Sequence, residues 1–394
     1  MSIHSSILPD YDGATEVYRS NRSILVRVQR RQDGAKVLLK MLHPGNTDPA
    51  AARVLREEFT VLQRVAGEGV VAAHRLCPSA VGPLLELEDL GPLTLEQLPE
   101  QPVGRVLHIA IQLATILGHV HAKGVLHRDL HPGNVAWDTD TERVTLLDFG
   151  AAARVERHSA RGTAAGLGGA FGYWAPEQTG KWTNPIDRRT DLYALGGILY
   201  RVATGAAPGP EHDLLAAIHA ALAVVPLPAD QVRPSIPRPL ARLISRLLCK
   251  IPDDRYQGAN GLLADLLRMR DELRLTGRIT DFELGTKDVP EILTLPRRLF
   301  GRDEALDQVQ VALANEGNPE LSPIIAISGP PGIGKSALVA EVARRVAAAG
   351  GSLVQGKFDQ SSPSPLHGFT HPIGEAVRAV LSLPEAELHR VRES

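Results

Sequence analysis

One ordered set of polar residues constrains this chain more than any other feature. His127-Arg128-Asp129 opens the run HRDLHPGN, Asn134 closes it five residues after Asp129, and Asp148-Phe149-Gly150 ends VTLLDFG fourteen residues further on. Alone, each triplet is a turn or nothing. Together, in one order and amid strand and helix patterns, they leave few folds open. Upstream, ILVRVQRR and AKVLLKML are short β-branched or leucine-rich runs separated by the turn dipeptide Asp33-Gly34, which predicts a hairpin. A polar helix is expected over 49–65 and another strand near GPLLELEDLG. From Val106 the apolar period becomes helical. Leu107, Ile111, Ala114, Leu117 and Val120 recur at three- and four-residue steps, with Gly124 placed to end the helix. A strand-rich lobe therefore precedes a helix-rich one, with further helices expected at 191–204, 238–249 and 258–273.

The same residues supply what phosphoryl transfer needs, which is positioning and charge neutralisation more than covalent chemistry. Asp129 can orient an attacking hydroxyl and accept its proton. Asn134 and Asp148 offer hard oxygen ligands to Mg²⁺ bridging the phosphates of ATP. Lys40, at the end of VLLK on a strand, can hold the α- and β-phosphates as a point charge. Glu58, in REEFTVL on the following helix, can fix that lysine, and Glu57 beside it is the alternative.

At these motifs the chain resembles the protein kinase family, over roughly residues 11–270. Ala175-Pro176-Glu177 and Asp191 in DLYALG also match. The resemblance implies a two-lobed α+β protein-kinase fold over residues 1–273, with a small lobe of about 10–90 and a large lobe of about 91–273. It also implies a buried bridge from Glu177 to Arg255, bracing of the His-Arg-Asp backbone by Asp191, and an adenine-binding hinge at Glu88–Leu90.

Three positions depart from the family pattern. DYDGATEV stands where a glycine-rich loop covers the phosphates; Val17 is in register, but Gly13 is the one glycine near it. Asp12 and Glu16 add negative charge there, and weak ATP affinity is expected. His131 occupies the place of a lysine usual in serine/threonine kinases, and Ala170 that of a threonine. Their joint replacement suggests a rebuilt site, in which His131 partly replaces the lysine when protonated. Imidazole titrates near ~6.5, so activity is expected to rise on mild acidification. GTAAGLGGAFG at 162–172 reads as a mobile loop. Arg128 could receive a phosphate carried by Thr163 or Ser159, although a loop with so few hydroxyls points away from that form of regulation.

Further along, Gly329-Pro330-Pro331-Gly332-Ile333-Gly334-Lys335-Ser336 matches the phosphate-binding pattern G-x-x-x-x-G-K-[ST]. PIIAIS before it is an expected buried strand, and a helix is expected after it to Ala349. Loop amides and the helix N-terminus would cradle phosphates, Lys335 would reach the β and γ oxygens, and Ser336 would ligate Mg²⁺. No apolar strand ending in acidic residues follows before Ser394, so efficient hydrolysis is not expected. APEQTG, DDRYQGANGLLADL, FGRDEAL, GPPGIGKSALV and GKFDQ together resemble a narrower bacterial group. Its members join a serine/threonine kinase domain to an AAA-type signal-transduction ATPase, often with sensor and histidine-kinase modules beyond. The resemblance implies a linker or extended strap at 274–298, the truncated start of an α/β P-loop NTPase domain at 299–394, and a longer parent with further C-terminal signalling modules.

Composition removes other classes. A formal charge of −2 gives no field that recruits nucleic acid or an anionic membrane. Cys77 and Cys249 alone cannot build a zinc cluster or a disulfide framework. The N-terminus lacks a signal-peptide pattern, and no apolar run approaches the ~20 residues of a spanning helix. A cytoplasmic, ATP- and Mg²⁺-dependent protein kinase, directed to serine or threonine on an unidentified protein substrate, is the expectation. The alternatives are a nucleotide-sensing pseudokinase and a regulatory P-loop ATPase with the first domain as its input.

Overall fold

Alternation of side chains builds the first sheet. Strand β1 is Tyr11–Arg19, β2 is Ser23–Arg30 and β3 is Lys36–Leu42. In β3, Val37, Leu39 and Met41 are buried on one face, which leaves Lys40 on the other. The first face packs with Ile24, Val26, Val28, Leu84 and Tyr11 into a small core of its own. Gly34, at φ 73°, makes the expected β2–β3 turn. Helix α1 (Pro49–Val65), β4 (Ala73–Cys77) and β5 (Leu84–Glu88) complete the small lobe. The five strands are antiparallel neighbours in the order β1-β2-β3-β5-β4, with Lys40 opposite Leu25 on one side and Leu85 on the other. On α1, Leu55, Glu58, Leu62 and Val65 are buried at three- and four-residue steps, the stripe of an amphipathic helix.

The computed structural model describes residues 10–19, 23–43, 49–79, 82–91, 93–154, 170–180, 184–211, 213–289, 301–314, 326–330 and 333–348. The chain divides into two compact units, Met1–Leu293 and Thr294–Ser394. In the first, the large lobe is built round helix α2 (Val103–Ala122), whose apolar face enters the main core. Among the described residues α2 is the one helix long and apolar enough to cross a membrane, a longer apolar run than the sequence suggested. Half of that window is buried within the unit, as a core helix requires. Strand β6 (Val125–Leu126) pairs with β9 (Ala153–Arg154), and β7 (Val135–Asp138) with β8 (Arg143–Leu146). These two small ladders hold the loops that carry Asp129, Asn134 and Asp148.

Helices α3 (Arg188–Thr204), α4 (Leu214–Ala223), α5 (Ala229–Val232), α6 (Arg238–Leu247) and α7 (Ala259–Thr276) fill the rest of the large lobe. Asp187 caps α3 by accepting the Arg189 N–H, and Gly205 closes it in the left-handed region. α4 was not foreseen: its alanine-rich stretch buries Ala217 and Ala221 and shows little periodic contrast. α7 runs three residues beyond its expected end and stops at Gly277 (φ 73°). The chain then lies along the lobe, with Ile279 and Phe282 in the core.

The second unit contains helix α8 (Asp303–Ala314) and helix α9 (Lys335–Ala348). Ala326–Ser328, the described part of the expected PIIAIS strand, is not a strand, and Ala326 and Ser328 are exposed. A strand needs a hydrogen-bonded neighbour, and the described residues of this unit supply none. Gly332 lies outside the described residues, as do Ser159, Thr163 and most of the 162–172 loop.

Glu177 and Arg255 form the deepest ion pair of the large lobe, at 2.8 and 3.0 Å, with side chains 1% and 0% exposed. Removing one partner of such a pair leaves an uncompensated buried charge. Arg255→Ala is therefore expected to cost about 3–5 kcal/mol of stability, read from the urea midpoint. A change under ~1 kcal/mol would contradict this account of the pair.

Candidate active site

Lys40 Nζ donates to both oxygens of Glu58, at 2.8 and 2.9 Å, and to Asp148 Oδ1 at 2.8 Å. One ammonium thus joins β3, α1 and the segment after β8. Glu57, left open by the sequence, points outward and meets Arg53 at 3.6 Å. Burial opposes the charge on Lys40, yet the charges of Asp148 and Glu58 raise its pKa and keep it protonated. Burial alone would raise the Asp148 carboxyl as well, but the neighbouring Lys40 holds it down at about 2. For Glu58 burial dominates and pushes the carboxyl up, partly offset by Lys40.

The loop after β6 is held from below. Asp191, buried on α3, accepts the backbone N–H of His127 at 2.9 Å and that of Arg128 at 2.8 Å. Its Oδ2 also lies 2.8 Å from His121 Nε2. These bonds hold Arg128 at φ 69°, and Asp148 sits at φ 47°. Left-handed backbone at non-glycine residues costs about 1–3 kcal/mol each and persists where its surroundings fix it. Phe149 is buried and stacks on His127, with ring centroids 4.6 Å apart. Asn134 Nδ2 donates to the Asp129 carbonyl at 2.9 Å, which leaves the amide oxygen as its coordinating atom.

That donor chemistry fits Mg²⁺. Asn134 contributes an amide oxygen, and Asp148 a carboxylate whose side chain is 42% exposed. Mg²⁺ typically takes one or two protein oxygens and completes its shell with phosphate and water. Among the described residues no group of three His, Cys, Asp or Glu side chains is placed to cage a metal without such help.

Other expected residues are more dispersed. Glu88 and Leu90 lie at and just beyond the end of β5, half-buried, with the Glu88 N–H spent on the Ala72 carbonyl. Val17 is 39% exposed on β1. The acidic charges expected to repel phosphate are matched there: Asp12 pairs with Arg31 and Glu16 with Arg19. In the second unit Lys335 Nζ donates to the Gly329 carbonyl at 2.7 Å and to that of Pro330 at 3.0 Å, and Gly334 takes φ 94°. Ser336 lies in the first turn of α9.

His131 requires a correction. Burial and the neighbouring His127 push its imidazole down to about 4, which favours the neutral ring over the protonated one expected from its sequence position. Two positioning residues escaped the sequence reading. Gln178 Nε2 donates to the Arg128 carbonyl at 2.7 Å, tying the Ala175-Pro176-Glu177 segment to the catalytic loop. His121 is the other, paired with Asp191. Gln178 was signalled only by adjacency to a motif, and His121 only by its place at the end of α2.

Comparison with known proteins agrees with this geometry. Residues 21–267, more than half of the chain, match the family described as protein kinase domain, and residues 298–393 match the AAA ATPase domain. The chain is 37% identical over 262 residues to the DNA damage-responsive serine/threonine-protein kinase RqkA of Deinococcus radiodurans, covering 64% of this chain and 37% of that protein. It is 32% identical over 229 residues to serine/threonine-protein kinase Pkn1 of Myxococcus xanthus, covering 57% and 33%. It is 30% identical over 238 residues to hybrid signal transduction histidine kinase G of Dictyostelium discoideum, covering 55% and 7%. The chain thus spans less than two-fifths of each of these relatives.

The partly buried His131 also has a thermodynamic consequence. Its folded value of about 4 lies below the unfolded value near ~6.5. The neutral ring's contribution to stability is complete above ~6.5 and is lost as pH falls through the folded value. Over that window wild type is expected to lose on the order of 1–3 kcal/mol more stability than His131→Asn. Parallel unfolding curves for the two proteins from pH 7 to 4 would contradict the burial of this ring.

Proposed function

The chain belongs to the protein kinase family, and from that premise we propose that it transfers the γ-phosphate of ATP to a serine or threonine hydroxyl of a protein. The observation that carries this reading is the ammonium of Lys40 held between Glu58 and Asp148. Lys40 is thereby charged and aimed for the α- and β-phosphates. Asp129 accepts the proton of the attacking hydroxyl. The new bond joins that oxygen to the γ-phosphorus, the bond to the bridging oxygen breaks, and ADP leaves. Asn134 and Asp148 would hold Mg²⁺, which when bound would neutralise phosphate charge. Glu88, Leu90 and Val17 border the nucleotide.

On this reading residues 1–273 form the kinase domain, 274–298 the connection and 299–394 the start of a P-loop domain. Gly329, Gly332, Gly334, Lys335 and Ser336 bind a second nucleotide as a regulatory module. The protein works in the cytoplasm, in bacterial signalling, within a larger parent; the length of the matched relatives supports that last point. The fused ATPase match and the relatives named as serine/threonine kinases favour this reading over a nucleotide sensor without transfer.

Transfer of label from γ-radiolabelled ATP with Mg²⁺, to the chain itself and to a generic basic protein, tests the proposal. Asp148→Ala is expected to lower the rate at least about 10²–10³-fold, the cost of removing one preorganised charge. Lys335→Ala is expected to leave transfer in place. Equal rates in wild type and Asp148→Ala would remove the first domain as the seat of the chemistry.

A further inference from the structure

Residues 278–289, which follow α7 and lie beyond the protein-kinase match ending at 267, are bound to the large lobe by polar contacts and by core packing. Ile279 and Phe282 are buried, and the Arg268 guanidinium lies 4.0 Å from the Phe282 ring centroid. Asp281 pairs with Arg242 of α6. The Gly285 N–H donates to the buried Asp265 carboxylate at 2.7 Å, and the same carboxylate oxygen accepts the Tyr256 hydroxyl at 2.6 Å. Asp288, whose side chain is 2% exposed, accepts the Gln257 N–H at 2.8 Å. Arg246 closes the set: it donates to the Leu284 carbonyl at 2.7 Å, lies 3.6 Å from Asp288 and stacks over Tyr256 at 4.5 Å.

Two glycines allow this close approach. A Cβ on Gly285 would come within 2.2 Å of the Arg246 guanidinium, and one on Gly261 within 2.4 Å of Asp288 Oδ1. Gly285 is also at φ 77°, where a side chain is strained. A loose linker has no need of either residue.

The loop that this strap grips is the one bearing Arg255. Gln257 is held by Asp288 from one side, and its Oε1 accepts from Arg189 Nη1 at 3.1 Å on the other. Two residues earlier, Arg255 spends its donors on the carbonyls of Cys249, Lys250 and Arg189 and on both oxygens of Glu177. Glu177 is followed by Gln178, which binds the Arg128 carbonyl next to Asp129. Each step is a covalent neighbour or a hydrogen bond between groups with few alternative partners.

We infer that Asp288 is a positioning residue for the kinase reaction. It anchors the strap to Gln257 and so fixes the Arg255 loop, and through Glu177 and Gln178 the backbone beside Asp129. The inference rests on the kinase reading above and adds to it an element outside the family's matched span. It places the effect on the positioning of Asp129. Lys40, Glu58 and the small-lobe sheet have no part in this contact chain, so nucleotide binding is unaffected.

The test uses the full chain with Asp288→Ala, Asp288→Asn and Gly285→Val. Transfer to a generic basic protein and amide hydrogen exchange are measured on each. Asp288→Ala and Gly285→Val are expected to lower kcat about fivefold or more and leave KM for ATP unchanged. Exchange should quicken at 174–180 and 253–257 but not at 36–42. Asp288→Asn, which keeps an acceptor for the Gln257 N–H, should restore most of the loss. A lower melting temperature with unchanged kcat and unchanged exchange at 174–180 would make the strap a brace only and overturn the inference. If wild type transfers no phosphate, the kinase reading fails, and the exchange measurement alone decides whether the strap controls the 174–180 segment.

Discussion

A buried ammonium must be paired, and the small lobe is arranged round that requirement at Lys40 Nζ. Its side chain is 12% exposed and that of Glu58 is 1% exposed, so neither is sustained without the other. The pairing is demanding of register. Lys40 reaches inward because β3 alternates Val37, Leu39 and Met41 to the opposite face, and a one-residue slip would reverse all four. Glu58 reaches it because α1 buries Leu55, Leu62 and Val65 on the same stripe. Asp148 completes the contact only with its backbone in the left-handed region. Sheet register, helix phase and loop strain are thus fixed by one charge.

The large lobe applies the same logic twice more. Arg255 has donors for several acceptors and satisfies them on three carbonyls and Glu177, a set available in one chain arrangement. Asp191 gathers two backbone amides and His121, and in doing so holds Arg128 at its strained φ. A buried ion pair is weak evidence for net stability, because desolvation offsets much of its attraction. Its value here is geometric. Asp129 is positioned from beneath by Asp191 and from the side by Gln178, while the apolar core supplies the free energy of folding.

Much of this was legible in the sequence, for identifiable reasons. β-Branched and leucine-rich runs on either side of Asp33-Gly34 placed β2 and β3, and the helical apolar period placed α2, which has one buried face. The choice of Glu58 over Glu57 came with the structure, in which Glu58 falls three residues after Leu55 and four before Leu62 on the buried stripe of α1. What was not legible depends on contacts distant in sequence. The neutralisation of Asp12 by Arg31 follows from the β1–β2 register, in which Tyr11 lies opposite Arg30. The neutrality of His131 follows from burial, which no local pattern records. Residues 278–289 read as linker because their turns and charges look solvated, whereas their partners lie on α6 and α7.

These corrections change the electrostatic character of the nucleotide cleft. A lysine in the place of His131 would have set a second cation near the reacting phosphate, and a protonated imidazole would have approximated it. The neutral ring does neither. Among the described residues at the β1 rim, Arg19 and Arg31 are engaged by Glu16 and Asp12. The rim repels less than its acidic residues suggest, for that reason. The negative charge of bound phosphate therefore falls on Lys40 and on the cation that Asn134 and Asp148 would hold. Affinity for nucleotide in such a cleft depends more steeply on Mg²⁺ than in one with two fixed cations, because one of the two neutralising charges has to be supplied from solution.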